Sequence, residues 1–224
     1  MRSQLAQLLS SRWTLLLTAA MLPANWSLFS QAPAFATQLT ALLEYDREAV
    51  MHGELWRLVT GNLVHWSLEH FCLDVGAFLL LGILYEPSFR RSCVPFGRFL
   101  FVVALLIGAT LFALAPGMKT YRGLSGVDSG VFATGLLIEA AAAKRDPRRW
   151  IFVGPALLIF TVKIGFEGWT GRLFFGTASL GDLGQPVPLA HAAGAIAAIC
   201  YFVFSSKRTI RPHPSLPIAE RGST

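Results

Sequence analysis

Six long apolar runs constrain the fold of this chain more than any other feature of its sequence. They are separated by charged or Pro/Gly-rich breaks and lie near residues 13–30, 64–85, 99–115, 125–143, 150–166 and 187–204. A helix needs about 20 residues to span a bilayer, and several runs approach or reach that length. A transmembrane barrel would instead need alternating segments of about ten residues, and an open sheet cannot satisfy its backbone in lipid. The sequence therefore predicts an all-α polytopic membrane bundle with about six transmembrane helices.

Composition agrees with this prediction and excludes other classes. Hydrophobic residues make up 54% of the 224 residues and charged residues 14%, whereas soluble domains average about 25% charged residues. The net charge of +6 comes from short basic clusters between the apolar runs, which argues against nucleic-acid binding. The three cysteines form neither a disulfide framework nor a metal-ligand pattern. We expect one domain over residues 1–224, with a core at about 54–205 and short cytoplasmic tails at 1–12 and 205–224.

The distribution of Lys and Arg predicts the orientation in the membrane. Thirteen basic residues fall on the ends and loops that alternate onto one side: Arg2, Arg12, Arg90, Arg91, Arg98, Lys144, Arg145, Arg148, Arg149, Lys207, Arg208, Arg211 and Arg221. Five fall on the opposite side: Arg47, Arg57, Lys119, Arg122 and Arg172. The positive-inside tendency therefore places both termini in the cytoplasm and residues 31–63 on the outer face.

The first apolar run has a second interpretation. Arg2 and Arg12 precede or open it, and the small-residue triplet Ala-Phe-Ala at 34–36 follows it. This arrangement resembles a signal peptide with its cleavage site. Cleavage would leave five spans without inverting the others, and we favour the uncleaved transmembrane helix.

A group of polar residues opens the second span: Trp56, Arg57, Thr60, His65, His70 and Asp74. His70 and Asp74 are four residues apart and share a helix face. Ionisable residues are costly in membrane helices, which makes them functional candidates. His65 would lie about 140° from His70 around an ideal helix, and no Cys or acidic cluster completes a metal site, so we expect no metal. An alternative without a functional role is that His65 and His70 lie at the membrane interface and cap the start of the helix.

Small residues surround a serine in the fourth span and a histidine in the sixth. Gly123 and Gly126 flank Ser125 and allow a tight entry into a helix. His191 is followed by small residues up to Gly194, which permit close approach of another helix. The alternative is that Gly126 and Gly130, a G-x-x-x-G pair, only pack helices.

The predicted topology brings these candidates to one depth. With both termini inside, the second, fourth and sixth spans all run inward from the outer face. Ser125 lies at the mouth of its span, and His191 lies about 6 Å below the start of its own at 1.5 Å per residue. Ser125 and His191 are therefore a plausible nucleophile and base. His65 and His70 lie in the same leaflet, where they could donate toward an oxyanion.

Taken in order, these residues resemble the rhomboid family of intramembrane serine proteases over about residues 54–205. The matching residues are Trp56, Arg57, Thr60, His65, His70, Gly123, Ser125, Gly126, His191 and Gly194. The resemblance implies that Ser125 attacks the scissile carbonyl and that His191 transfers its proton, as a dyad with no carboxylate partner and no cofactor. It implies that His70 and the Ser125 backbone amide stabilise the oxyanion. It also implies membrane protein substrates and a bacterial inner membrane location.

The motif Tyr-x-Gly-Leu-Ser-Gly at 121–126 is most similar to that of the rhombosortase subgroup. This resemblance implies that the protein processes C-terminal sorting tails. Two positions depart from the family pattern. Asp74 replaces the usual asparagine, so it either donates as a neutral acid or, ionised, pairs with His70. Ser129 replaces an aromatic residue that packs on the catalytic histidine.

The sequence leaves open the roles of other acidic residues and two alternative functions. Asp128 is expected to make a structural hydrogen bond between helices, and Lys163 is expected to pair with Glu167 at i, i+4. A catalytically inactive rhomboid-like protein that binds transmembrane segments is the main alternative, although Ser125 and His191 are both present. A small transporter is less consistent with the sequence, because the polar residues gather near one face. The oligomeric state is not predicted.

Overall fold

The computed structural model describes residues 11–29, 33–89, 95–144, 146–171 and 187–208. Its helices are α1 (Arg12–Ala24), α2 (Ala34–Leu43), α3 (Arg47–Met51), α4 (Arg57–Thr60), α5 (Leu68–Phe89), α6 (Phe96–Leu114), α7 (Ser125–Ala143), α8 (Trp150–Thr170) and α9 (Pro188–Arg208). Short 3-10 turns occupy Trp26–Leu28, Gly61–Leu63 and Pro147–Arg149. The predicted all-α membrane bundle is confirmed. Cys93, most of the two tails and several basic residues counted for orientation, among them Arg172, lie outside the described residues.

Four helices within the described ranges are long and apolar enough to cross a membrane: α5, α6, α7 and α8 with its preceding turn. Their bounds follow the predicted runs closely, and α7 begins and ends at the predicted residues. α9 coincides with the sixth predicted span, and its apolar part is Pro188–Phe204. α1 is shorter than predicted, since its 13 residues end at Ala24.

Glu86 joins α1 to α5 through a buried polar contact. Its carboxylate accepts hydrogen bonds from the Trp13 and Thr14 backbone amides at 3.0 and 2.9 Å, and from Thr14 Oγ1 at 2.7 Å. Glu86 is only 4% exposed. A carboxylate is tolerated there because these donors, at the first turn of α1, replace the water that it lost.

The described residues include a small two-stranded sheet that hydrophobic periodicity did not predict. Two-residue strands β1 (Tyr45–Asp46) and β2 (Thr120–Tyr121) pair antiparallel, with Tyr45 opposite Tyr121. The Gly123 amide donates to the Gly61 carbonyl at 3.2 Å. These backbone contacts fix the residues just before α7 against the segment that leads into α5.

The central helix is α7, and its neighbours contact it in different ways. Val127 and Val131 on α7 are almost fully buried, in a core shared with residues of α5, α6 and α9. On α8, by contrast, Val153 and Glu167 are the buried residues, and Phe152 is 79% exposed. The apolar exposed surface of α8 is what a helix facing lipid presents.

Candidate active site

A glycine shapes the entry into α7 and positions Ser125 at its first residue. Gly123 has φ +140°, a conformation that disfavours a side chain, and a Cβ there would lie 3.0 Å from His70 Cε1. The Tyr121 hydroxyl donates to the Gly123 carbonyl at 2.7 Å. Burial raises the pKa of Tyr121, so the phenol stays a neutral donor. The loop is therefore held tightly against α5 before the helix begins.

Glycines between α7 and α9 bring two backbones into direct contact. A Cβ on Gly194 would collide with the Gly126 carbonyl oxygen, and one on Gly130 would lie 3.0 Å from the Gly194 carbonyl oxygen. Gly126 and Gly130, the predicted G-x-x-x-G pair, therefore pack against α9. This packing lets the first turn of α9 approach the first turn of α7.

Ser125 and His191 meet across this helix contact. His191 Nε2 lies 2.9 Å from Ser125 Oγ, within hydrogen-bond distance. His191 is 4% exposed, whereas Ser125 is partly exposed. A histidine next to a hydroxyl that remains accessible is the arrangement that activates a serine nucleophile.

The second nitrogen of His191 faces a charged pair from α8. His191 Nδ1 lies 2.6 Å from Glu167 Oε2 and 3.1 Å from Lys163 Nζ. Lys163 also donates to Glu167 Oε2 at 2.8 Å, which confirms the predicted i, i+4 pair. The contact between Glu167 and His191 was not predicted from the sequence. The sequence did contain a signal for that contact, because consecutive spans run in opposite directions, so the end of the fifth span lies on the same side of the membrane as the start of the sixth.

Asp74 lies on the other side of Ser125. Its Oδ2 accepts hydrogen bonds from the Leu124 and Ser125 backbone amides at 2.8 and 3.1 Å. The same oxygen lies 3.2 Å from His70 Nε2 and 3.4 Å from His65 Nε2. Asp74 therefore acts as an acceptor at the N-terminus of α7, where the helix dipole favours a negative charge.

The position of His65 corrects the helical-wheel argument about the two histidines. His65 precedes α5, which begins at Leu68, so it does not point away from His70 as a helical residue would. The ring centroids of His65 and His70 are 5.1 Å apart. Burial lowers the pKa of His65, and the Asp74 carboxylate acts in the opposite direction. Within the described ranges, no group of three or more His, Cys, Asp or Glu side chains could hold a metal ion.

Asn25 supports His65 from the end of α1. Asn25 Oδ1 accepts a hydrogen bond from the His65 backbone amide at 2.8 Å, and Asn25 Nδ2 donates to the Leu63 carbonyl at 2.8 Å. Asn25 was not among the residues predicted from the sequence. An amide at the end of an apolar run carries no distinctive pattern, and its partner is 40 residues away in the chain.

Trp56 and Arg57 do not contact Ser125 or His191. Arg57 is buried and donates to the Ala41 carbonyl at 2.6 Å and to the Glu44 carbonyl at 2.9 Å. Trp56 Nε1 donates to the Leu42 carbonyl at 3.2 Å. Both residues therefore stabilise the end of α2.

Two further polar residues of α7 lie beside the site. The Ser129 hydroxyl donates to the Ser125 carbonyl at 2.9 Å, so it is turned back onto its own helix. Asp128 is buried, and its Oδ1 has no hydrogen-bond partner among the described residues. The expected interhelical hydrogen bond is therefore not seen at that oxygen.

Comparison with known families identifies the class of the protein. The family model of the rhomboid domain matches residues 52–208, which include Ser125, His191 and the whole Asp74 cluster. No curated protein matches the chain. The matched range covers well over half of the sequence. The chain therefore belongs to the rhomboid family of integral membrane proteins, whose members are generally intramembrane serine proteases.

Proposed function

We propose that this protein is an active intramembrane serine endopeptidase, with Ser125 as nucleophile and His191 as general base. The observation that carries the proposal is the 2.9 Å contact between Ser125 Oγ and His191 Nε2. An inactive family member would need neither a partly exposed serine nor a buried histidine directed at its hydroxyl. No cofactor is needed for this chemistry.

In the proposed reaction, Ser125 Oγ bonds to the carbon of the scissile carbonyl while its proton moves to His191 Nε2. The electron pair of the C=O π bond moves onto the carbonyl oxygen. When that oxygen re-forms the double bond, the C–N bond breaks and His191 passes the proton to the leaving amine. Water then attacks the acyl-enzyme by the same steps, and Ser125 is regenerated.

The developing oxyanion would use the donors that Asp74 Oδ2 now engages. The Ser125 amide and His70 Nε2 both lie within about 3.2 Å of that oxygen. We propose that the substrate oxygen replaces Asp74 Oδ2 at these donors, because two negatively charged oxygens repel each other there. This favours an ionised Asp74 over the neutral donor considered from the sequence.

The proposed substrates are transmembrane or membrane-proximal segments of other membrane proteins. Ser125 lies at the first residue of a membrane-spanning helix, so a substrate must present its scissile bond near the membrane surface. The resemblance of residues 121–126 to rhombosortase narrows the proposal to C-terminal sorting tails.

A serine-reactive fluorophosphonate probe tests the proposed function. We expect the detergent-purified protein to be labelled at Ser125, and Ser125→Ala to abolish labelling while the protein remains folded. Absence of labelling in the wild-type protein would instead support an inactive binding protein.

We also propose that both termini face the cytoplasm of a bacterial inner membrane and that Ser125 faces outward. A single cysteine tests this orientation in a chain from which the three native cysteines have been removed. Gln38 is exposed on the outer-face helix α2, and Arg148 is exposed in the loop before α8. A membrane-impermeant thiol reagent applied to intact cells should label Gln38→Cys and not Arg148→Cys. The reverse pattern would overturn the orientation.

A further inference from the structure

We infer that Glu167 is a positioning residue for His191, so that the site works as a Ser125–His191–Glu167 triad and not as a dyad. This inference rests on the proposed function. Its geometric basis is a continuous line of contacts from Glu167 Oε2 to His191 Nδ1 at 2.6 Å, and from His191 Nε2 to Ser125 Oγ at 2.9 Å.

The burial of Glu167 is unusual for the helix that carries it. α8 exposes most of its side chains, yet Glu167 is only 1% exposed and Trp169 nearby is 90% exposed. Burying a carboxylate in a membrane helix is costly unless specific partners compensate. The ion pair with Lys163 at 2.8 Å compensates the charge, and the contact with His191 at 2.6 Å connects the carboxylate to the candidate site.

The shorter of two contacts assigns the tautomer of His191. A carboxylate can only accept, so the 2.6 Å contact with Glu167 places the proton on His191 Nδ1 and leaves a lone pair on Nε2. Nε2 can then accept the Ser125 proton. If Lys163 donated to Nδ1 instead, the proton would lie on Nε2 and the histidine could not act as a base.

Lys163 has a different task in this arrangement. Its Nζ lies 2.8 Å from Glu167 Oε2, closer than its 3.1 Å separation from His191 Nδ1. The ammonium group therefore compensates the carboxylate charge inside the protein. Ser129, one turn after Ser125, is turned onto its own helix, and Glu167 makes the shorter of the two contacts with the far nitrogen of the imidazole.

The test compares Glu167→Gln with Glu86→Gln, a matched control. Glu86 is also a buried carboxylate on a membrane helix, but it binds Trp13 and Thr14 and not the active site. The readout is the time course of fluorophosphonate labelling, from which the maximal inactivation rate and the inhibitor constant are obtained. Thermal unfolding of each variant is measured in parallel.

We expect Glu167→Gln to lower the maximal labelling rate on the order of tenfold to a hundredfold with little change in the inhibitor constant, since it acts on proton transfer. Glu86→Gln should lower thermal stability and leave the labelling rate of the folded protein unchanged. Glu167→Asp should restore part of the rate. On a His191→Ala background, Glu167→Gln should cause no further loss, because Glu167 acts through the imidazole.

Equal labelling rates in Glu167→Gln and wild type, with labelling still lost in Ser125→Ala, would overturn the triad and leave the proposed protease intact. Absence of labelling in the wild type would overturn both. If Glu167→Gln does not fold, Glu167→Asp carries the test alone. Its shorter side chain should slow labelling several-fold, and a wild-type rate in that variant would refute the positioning role.

Discussion

Ser125 lies between two carboxylates that contact histidines in different ways. On the α8 side, Glu167 contacts the far nitrogen of His191, and the near nitrogen faces the serine hydroxyl. On the α5 side, Asp74 accepts hydrogen bonds directly from the Leu124 and Ser125 amides and lies against two imidazoles. In the proposed site, Glu167 acts through a histidine, whereas Asp74 occupies the oxyanion donors themselves.

The effect of a buried charge on the reaction depends on what lies between that charge and the reacting atoms. A carboxylate behind a base orients that base and stabilises the imidazolium that forms. A carboxylate at the oxyanion donors competes with the charge that develops in the transition state. We therefore expect loss of the Glu167 charge to slow the reaction and loss of the Asp74 charge to speed it.

The largest expected effect comes from removing the proposed nucleophile, Ser125, or the proposed base, His191. Ser125→Ala or His191→Ala should lower cleavage of a membrane-embedded substrate about a thousandfold or more, and the double variant should be little worse than either single one. The rate is measured in proteoliposomes with protein that is shown to be folded. Substantial cleavage by purified Ser125→Ala would refute the assignment and remove the basis of the comparison.

A smaller effect is expected from separating the helices that carry Ser125 and His191. Gly194→Ala would place a methyl group against the Gly126 carbonyl, so α9 must move away from α7. We expect a loss of about 1–3 kcal/mol in the free energy of unfolding. The displacement of His191 should slow labelling by roughly tenfold to a hundredfold.

Gly154→Ala on α8 is the matched control for this change. A Cβ at Gly154 would meet nothing within 4 Å. Its stability and labelling rate should stay near the wild-type values. If both alanine variants behave alike, close α7–α9 packing is not what aligns the base.

The smallest expected effect has the opposite sign. Asp74→Asn removes the charge that competes for the Ser125 amide, and we expect the labelling rate to rise roughly two- to tenfold. The free energy of unfolding should fall by about 0.3–1 kcal/mol, because asparagine still caps α7 but the negative charge at the helix N-terminus is lost.

Asp46→Asn is a control that separates the effect of a lost carboxylate on stability from its effect on the labelling rate. The Asp46 side chain caps α3 through the Ala49 amide at 3.0 Å and takes no part in the hydrogen bonds described for Ser125, so loss of its charge should affect stability alone. A lower rate in Asp74→Asn at neutral pH, partly restored at lower pH, would contradict the competition. It would indicate instead that Asp74 keeps His70 charged for the oxyanion.

The contacts between the site residues were less predictable from the sequence than the identity of the residues themselves. His65 was placed on a helix by its spacing, but the chain forms a 3-10 turn at Gly61–Leu63 and enters α5 only at Leu68. That turn changes which way the His65 ring points, and no periodic pattern encodes it. Glu167 was paired with Lys163 because both lie on one helix, where i, i+4 geometry is known in advance.

By itself, the sequence determined the all-α membrane bundle, the bounds of α7 and the local pair of Lys163 and Glu167. It could do so because bilayer thickness sets helix length and helical periodicity sets contacts within one helix. Only the tertiary structure decided that Glu167 reaches His191 and that Asp74 Oδ2 binds the Ser125 amide. Those contacts depend on how each helix is rotated and how closely two backbones approach, which is set by packing among several helices together.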